Sequence, residues 1–85
     1  MALTNPPKNW VVRYHVSGKP AVQYNFAGWK ETGVKPSYTT KFDKIEKFNT
    51  AYEAFRIAVL LNETGEYVAE VKKICIALEE EYYFI

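Results

Sequence analysis

The stretch TAYEAFRIAVLLN, Thr50 to Asn62, carries a helix start, a helix body and a helix stop in consecutive residues. Thr50 and Glu53 form a capping box: the Thr hydroxyl accepts from a first-turn amide while the Glu carboxylate reaches back to the amide of Thr50. At about 100° per residue, Ile57, Leu61, Ala54, Ala58, Ala51, Phe55 and Val59 cover a continuous apolar arc of roughly 200°, with Glu53 and Arg56 on the other side. That arc is too wide for a coiled-coil seam and suits a helix laid on a sheet. The alanines at 51, 54 and 58 let the helix backbone approach its neighbour closely. Beyond Asn62, Glu63-Thr64-Gly65 ends the helix, Gly65 being free to take the left-handed conformation of a C-terminal cap.

Upstream, Asn5-Pro6-Pro7 can join neither a helix nor a central strand, so residues 1–9 read as a flexible extended arm before a single domain at 10–85. From Trp10 the alternation is clean: Trp10, Val12, Tyr14 and Val16 share one face, and Val11, Arg13, His15 and Ser17 the other. Ser17-Gly18-Lys19-Pro20 supplies a turn. A second strand follows, with Val22, Tyr24 and Phe26 inward and Ala21, Gln23 and Asn25 outward, which makes an antiparallel hairpin. Gly28 to Pro36 reads as a loop containing Trp29. Tyr38 to Phe42 reads as a short strand and Asp43 to Phe48 as a turn of helix.

Downstream of Gly65 two readings stay open. As a helix, Tyr67, Val71, Ile74, Leu78, Tyr82 and Ile85 form a stripe. As a strand, Tyr67, Ala69 and Val71 alternate in one phase and Ile74, Ile76 and Leu78 in the other, with a β-bulge at Lys72-Lys73 to absorb the change. The strand is the better fit, because β-branched residues are dense and Glu79-Glu80-Glu81 would oppose a helix dipole at a C-terminus. The expected fold is therefore α+β: an antiparallel sheet of three to four strands with one main helix, about 50–62, packed on one face.

Eighty-five residues with 48% apolar and 25% charged side chains suffice for one thin two-layer core. Cys75 is the single cysteine, so no intrachain disulfide or thiolate zinc site can form, and its apolar neighbours make it an inert core residue. The apolar runs are far shorter than the ~20 residues of a membrane helix, and MALTNPPKN has neither basic nor apolar signal-peptide character, so a cytoplasmic protein without a membrane partner is expected. His15, the one imidazole, sits on an outward strand position beside Arg13 with no nucleophile in pattern around it. The four glycines have neither P-loop nor dinucleotide spacing, and three consecutive acids diverge too far to hold a hard cation. Neither an enzyme nor a cofactor is expected.

Charge is split along the chain, residues 1–50 holding eight Lys/Arg against three acids and residues 51–85 three against seven. A basic half with Tyr24, Trp29 and Tyr38 among its lysines could bind nucleic acid, although the alternation sends Tyr14 and Tyr24 inward. Seven Tyr and two Trp exceed what a thin core can hide, which favours protein recognition. The candidate partner-binding residues are Trp29, Lys30, Lys35 and Tyr38 around the loop, and Glu79, Glu80, Glu81, Tyr82 and Tyr83 in the tail. A tail strand edge could also pair with its copy in a homodimer.

The order of WVVRYHV, a Gly-rich loop, SYTTKFDKIEKFNTAYEAFRIA and GEYVAEVKKI resembles a loose class of small ββαβ proteins encoded by bacteriophages and prophages. The resemblance runs from about Trp10 to Ile76, with IEKFNTAYEA its most recognisable piece. The long Gly28–Pro36 loop and the acidic-aromatic tail depart from the short members. The resemblance implies an accessory protein acting by binding, for example on a host protein in the bacterial cytoplasm, as inhibitors of defence systems such as anti-CRISPR proteins do. It carries no catalytic motif.

Overall fold

The computed structural model describes residues 9–30, 35–78 and 81–84. The alternating segment WVVRYHV forms β1, Trp10–Val16, the central strand; β2, Tyr24–Trp29, and β3, Pro36–Thr39, lie in order on one side of it. After a 3-10 turn at Phe42–Lys44 comes α1, Ala51–Glu63, and then β4, Tyr67–Leu78, returns antiparallel on the other side of β1. The α+β expectation holds: β3-β2-β1-β4 is a four-stranded antiparallel sheet with one helix on one face. Beyond it, β5, Glu81–Phe84, pairs with the outer part of β4 only.

Thr50 caps α1 as its spacing dictates, its Oγ1 accepting from the Glu53 amide at 3.2 Å. The Glu53 carboxylate reaches one residue further back than expected, to the amide of Asn49 at 3.4 Å. At the other end Gly65 takes φ +76° and its amide donates to the Asn62 carbonyl, the left-handed stop that a non-glycine residue would resist. Thr64 Oγ1 donates to the Leu61 carbonyl at 2.7 Å and accepts from the Glu66 amide, closing the turn into β4.

The main core lies between α1 and the sheet: Ala54, Ala58 and Leu61 pack on Val12, Tyr14, Phe26 and Ala69. The buried arc of the helix is narrower than its apolar arc. Phe55, expected inside, is 55% exposed, and Val59 is only half-buried. Two alanines at the contact bring the helix axis close to β1 and β4, and at that distance the sheet covers the central stripe while the flanks stay open.

The reverse face has its own small core of Val11, Ile45 and Ile74. Val11 therefore faces outward, as its alternation requires, yet is fully buried, because the segment after β3 folds under the sheet and delivers Ile45 against it. This second core also corrects the reading of Lys72-Lys73. Pairing with β1 runs unbroken from Val16↔Tyr67 to Trp10↔Lys73, without a bulge. Alternation simply continues, and burial changes sides because the cover does: Ala69 lies under the helix and Ile74 over Ile45. The register shift in this ribbon comes later, between Ile76 and Leu78 opposite β5.

Three smaller boundaries also move. Val22, expected on the second strand, is exposed in the turn, since β2 begins at Tyr24; Gln23 there donates to the Pro20 carbonyl and meets His15 Nδ1 at 3.1 Å. Trp29, expected in a loop, ends β2, and Pro36 opens β3, so the short strand starts two residues before Tyr38. Phe42–Lys44 supplies the helical turn in place of Asp43 to Phe48, and Phe48 bridges Trp10 through a pair of backbone bonds.

Candidate functional site

Tyr14 and Tyr24 are directly opposed across β1 and β2, so their side chains share a face, and their rings stack at 5.4 Å. Tyr67 of β4 meets Tyr14 edge-on at 5.5 Å, and Tyr38 of β3 meets Tyr24 at 4.8 Å. The four strands thus contribute one tyrosine each to a row that crosses the sheet, Tyr67-Tyr14-Tyr24-Tyr38. Tyr14 is buried within it and its hydroxyl donates to the Ser37 carbonyl at 3.5 Å. Burial first, then the neighbouring Tyr67, Tyr24 and Tyr38, push its phenol well above the usual tyrosine range, so Tyr14 stays protonated. At the outer end Tyr38 is 61% exposed.

Gly28 adds the second aromatic of this region. With φ +109° it sits in a register irregularity between Phe26 and Trp29, which turns Trp29 onto the side occupied by Phe26. The rings meet edge to face at 4.9 Å, and Trp29 keeps 38% of its surface in solvent. Directly beyond, the Lys30 amide donates to the Lys35 carbonyl at 2.8 Å, which holds the two lysines across from one another, both exposed. Four sequence-predicted residues, Trp29, Lys30, Lys35 and Tyr38, therefore lie on the β2–β3 hairpin: Trp29 against Phe26, Lys30 opposite Lys35, and Tyr38 opposite Phe26 with its ring against Tyr24.

The tail candidates do not join them. Glu81, Tyr82 and Tyr83 lie on β5 at the opposite edge of the strand order, and Glu79 and Glu80 lie outside the described residues. Nor does the charge split produce two poles. Lys72 and Lys73 of the C-terminal half lie beside β1, with Arg13 opposite Glu70; Lys72 reaches Glu70 at 3.5 Å, and Lys73 covers the Trp10 ring at 5.7 Å. Lys41, Lys44 and Lys47 belong to the segment whose Ile45 packs on the reverse face, away from the tyrosine row.

Sequence reasoning missed a third exposed surface, the outer side of α1, where Tyr52 and Leu60 join Phe55 in solvent. The signal for it in the sequence is Leu60, an apolar residue outside the arc that faces the sheet. Among the described residues no group of three His, Cys, Asp or Glu could hold a metal ion, and no helix is long and apolar enough to cross a membrane. Comparison of the chain with protein-family models, with curated proteins and with solved structures finds no match.

Proposed function

We propose that this chain is a non-enzymatic binding module whose protein partner docks on the hairpin that carries Trp29, Lys30, Lys35 and Tyr38. The observation that carries the reading is Tyr38, 61% exposed at the end of a row of contacting rings, its own tilted against Tyr24 so that one orientation is favoured before any partner arrives. A rigid aromatic presented beside Trp loses little conformational entropy on binding, which is why such residues concentrate binding energy. Lys30 and Lys35 favour a partner with an apolar pocket and an acidic rim. The likeness to small phage ββαβ proteins supports a bacterial host protein, such as a component of a defence system, in the cytoplasm.

Affinity capture from nuclease-treated bacterial lysate, followed by titration of the captured protein, tests this. Tyr38→Ala and Trp29→Ala should each weaken binding by about 30-fold, the effect of an anchor worth ~2 kcal/mol. Raising salt should weaken it only modestly. Binding that disappears with nuclease, falls by roughly 10²-fold or more between about 50 and 200 mM salt and is abolished by Lys41/Lys44/Lys47→Gln would instead make the ligand a nucleic acid.

A further inference from the structure

The outer side of α1 is apolar where a solvated helix is ordinarily polar. Tyr52 is 68% exposed, Phe55 55% and Leu60 44%, and with Arg56, Val59 and Glu63 they line a shallow groove of about 490 Å³ along the helix. Tyr52, Arg56, Val59 and Glu63 follow at steps of four, three and four residues, so they form one straight stripe directly away from the sheet, with Phe55 and Leu60 on its two flanks.

The charges on that stripe decide what can cover it. Arg56 and Glu63 have opposite signs and lie seven residues, or about two turns, apart. A second copy of the helix laid parallel would set Arg56 on Arg56 and Glu63 on Glu63. Laid antiparallel, with a two-fold axis between Val59 and Leu60, each Arg56 comes level with Glu63 of the other copy, and the two Val59/Leu60 pairs meet at the axis. We propose that this face is the contact of a symmetric homodimer, α1 packed antiparallel on α1 of a second copy. One patch then serves both subunits, as a two-fold contact requires, and pairs Arg56 with Glu63 at both ends, while Glu53, which also borders the groove, accepts from the amide of Asn49 in its own copy. Tyr52 and Phe55 cover the ends of the seam, with their rings excluding water from the two ion pairs.

A helix of 13 residues is about 20 Å long, so the contact belongs to the small class of interfaces and the dimer is a weak one, with a dissociation constant of roughly 10–100 μM. This inference is independent of the hairpin site: Trp29 and Tyr38 lie on other elements, and their substitution should leave self-association unchanged, so either reading can fail alone.

Sedimentation velocity of the full chain from about 1 μM to about 1 mM tests it, that range bracketing a weak homodimer. The wild type should dimerise across the range. Arg56→Glu and Glu63→Arg should each weaken the dimer by about tenfold or more, because each sets like charges at both ends of the seam, and the double variant Arg56→Glu/Glu63→Arg should restore it. Leu60→Lys should leave a monomer with unchanged circular dichroism and unfolding midpoint. A wild type that stays monomeric throughout overturns the proposal, as does a dimer indifferent to both charge reversals and Leu60→Lys, the result expected if the copies pair through the β5 edge. Equal loss in the two single variants without recovery in the double one also overturns it.

Discussion

On the face that carries α1, β1 and β4 lie under a helix whereas β2 and β3 lie under aromatic rings, and the two covers respond differently to change. The helix meets the sheet through Ala54, Ala58 and Leu61, side chains with no room to move, over strands paired without interruption. The rings of Trp29 and Tyr38 meet the sheet through Phe26 and Tyr24 and keep their outer sides in water, over a pairing broken at Gly28. The helix cover spends its sheet-facing apolar surface on stability. The ring cover leaves part of it for recognition, and that division explains why the candidate site is on the hairpin.

The sharpest way to break this contrast is to place a carboxylate under each cover. Ala58→Glu forces an unpaired charge into the helix–sheet contact, where the native side chain is 3% exposed, and should cost about 3–5 kcal/mol. Tyr38→Glu puts the same group at an open ring position and should cost less than about 1 kcal/mol of folding stability. Urea unfolding of both variants measures this. Similar losses would mean the rings are as essential to the fold as the helix.

A smaller effect concerns how the helix is fastened. The Asn62 side chain behaves as a short piece of strand: its Nδ2 donates to the Ala69 carbonyl at 3.0 Å and its Oδ1 accepts from the Ala69 amide at 2.8 Å. It thereby fills the edge of β4 at Ala69, where β5, which pairs only from Ile74 onward, does not reach. Asn62→Leu removes both bonds and should cost about 2 kcal/mol, near the sum of two ordinary hydrogen bonds. It also opens a strand edge to pairing with other chains, so aggregation on heating should rise. Hydrogen exchange at the Ala69 amide should accelerate; unchanged exchange would show the clamp to be idle.

What could be read beforehand follows the range of the physics involved. Thr50 with Glu53, the stop at Gly65 and the alternation of β1 are local, and each was legible. Asn62 reads as the last residue of a helix, but its partner is seven residues on, across a turn that only the backbone at Gly65 defines. Tyr14 and Tyr24 announce a shared face by alternation; that Tyr67 and Tyr38 complete the row depends on strand order, which long-range pairing sets. Ile74 shows an inward phase without saying which side is inward. Ile45 decides that, from 29 residues upstream. Of the candidate site, the residue types around Trp29 and Tyr38 were visible, whereas the turn of Trp29 onto the Phe26 side requires the irregularity at Gly28.

The mildest perturbation falls where the two covers meet. Tyr14 lies beneath the edge of the helix and begins the ring layer, in contact with Tyr67 on one side and Tyr24 on the other. At neutral pH Tyr14→Phe keeps those ring contacts and loses only a long hydrogen bond to Ser37, so it should cost less than about 1 kcal/mol. Alkaline pH separates the variant from the wild type more clearly. Folding raises the Tyr14 pKa above its ordinary value of 10.0, so the folded state retains a proton that the unfolded state gives up. The stability owed to that difference is complete below about pH 10 and is lost as pH rises through the alkaline range toward the folded pKa, since there the unfolded chain binds fewer protons. Wild type should therefore lose stability steadily above about pH 10, with Tyr14→Phe losing less. If the two proteins weaken in parallel with pH, Tyr14 is in water in the folded state and the ring layer does not extend under the helix.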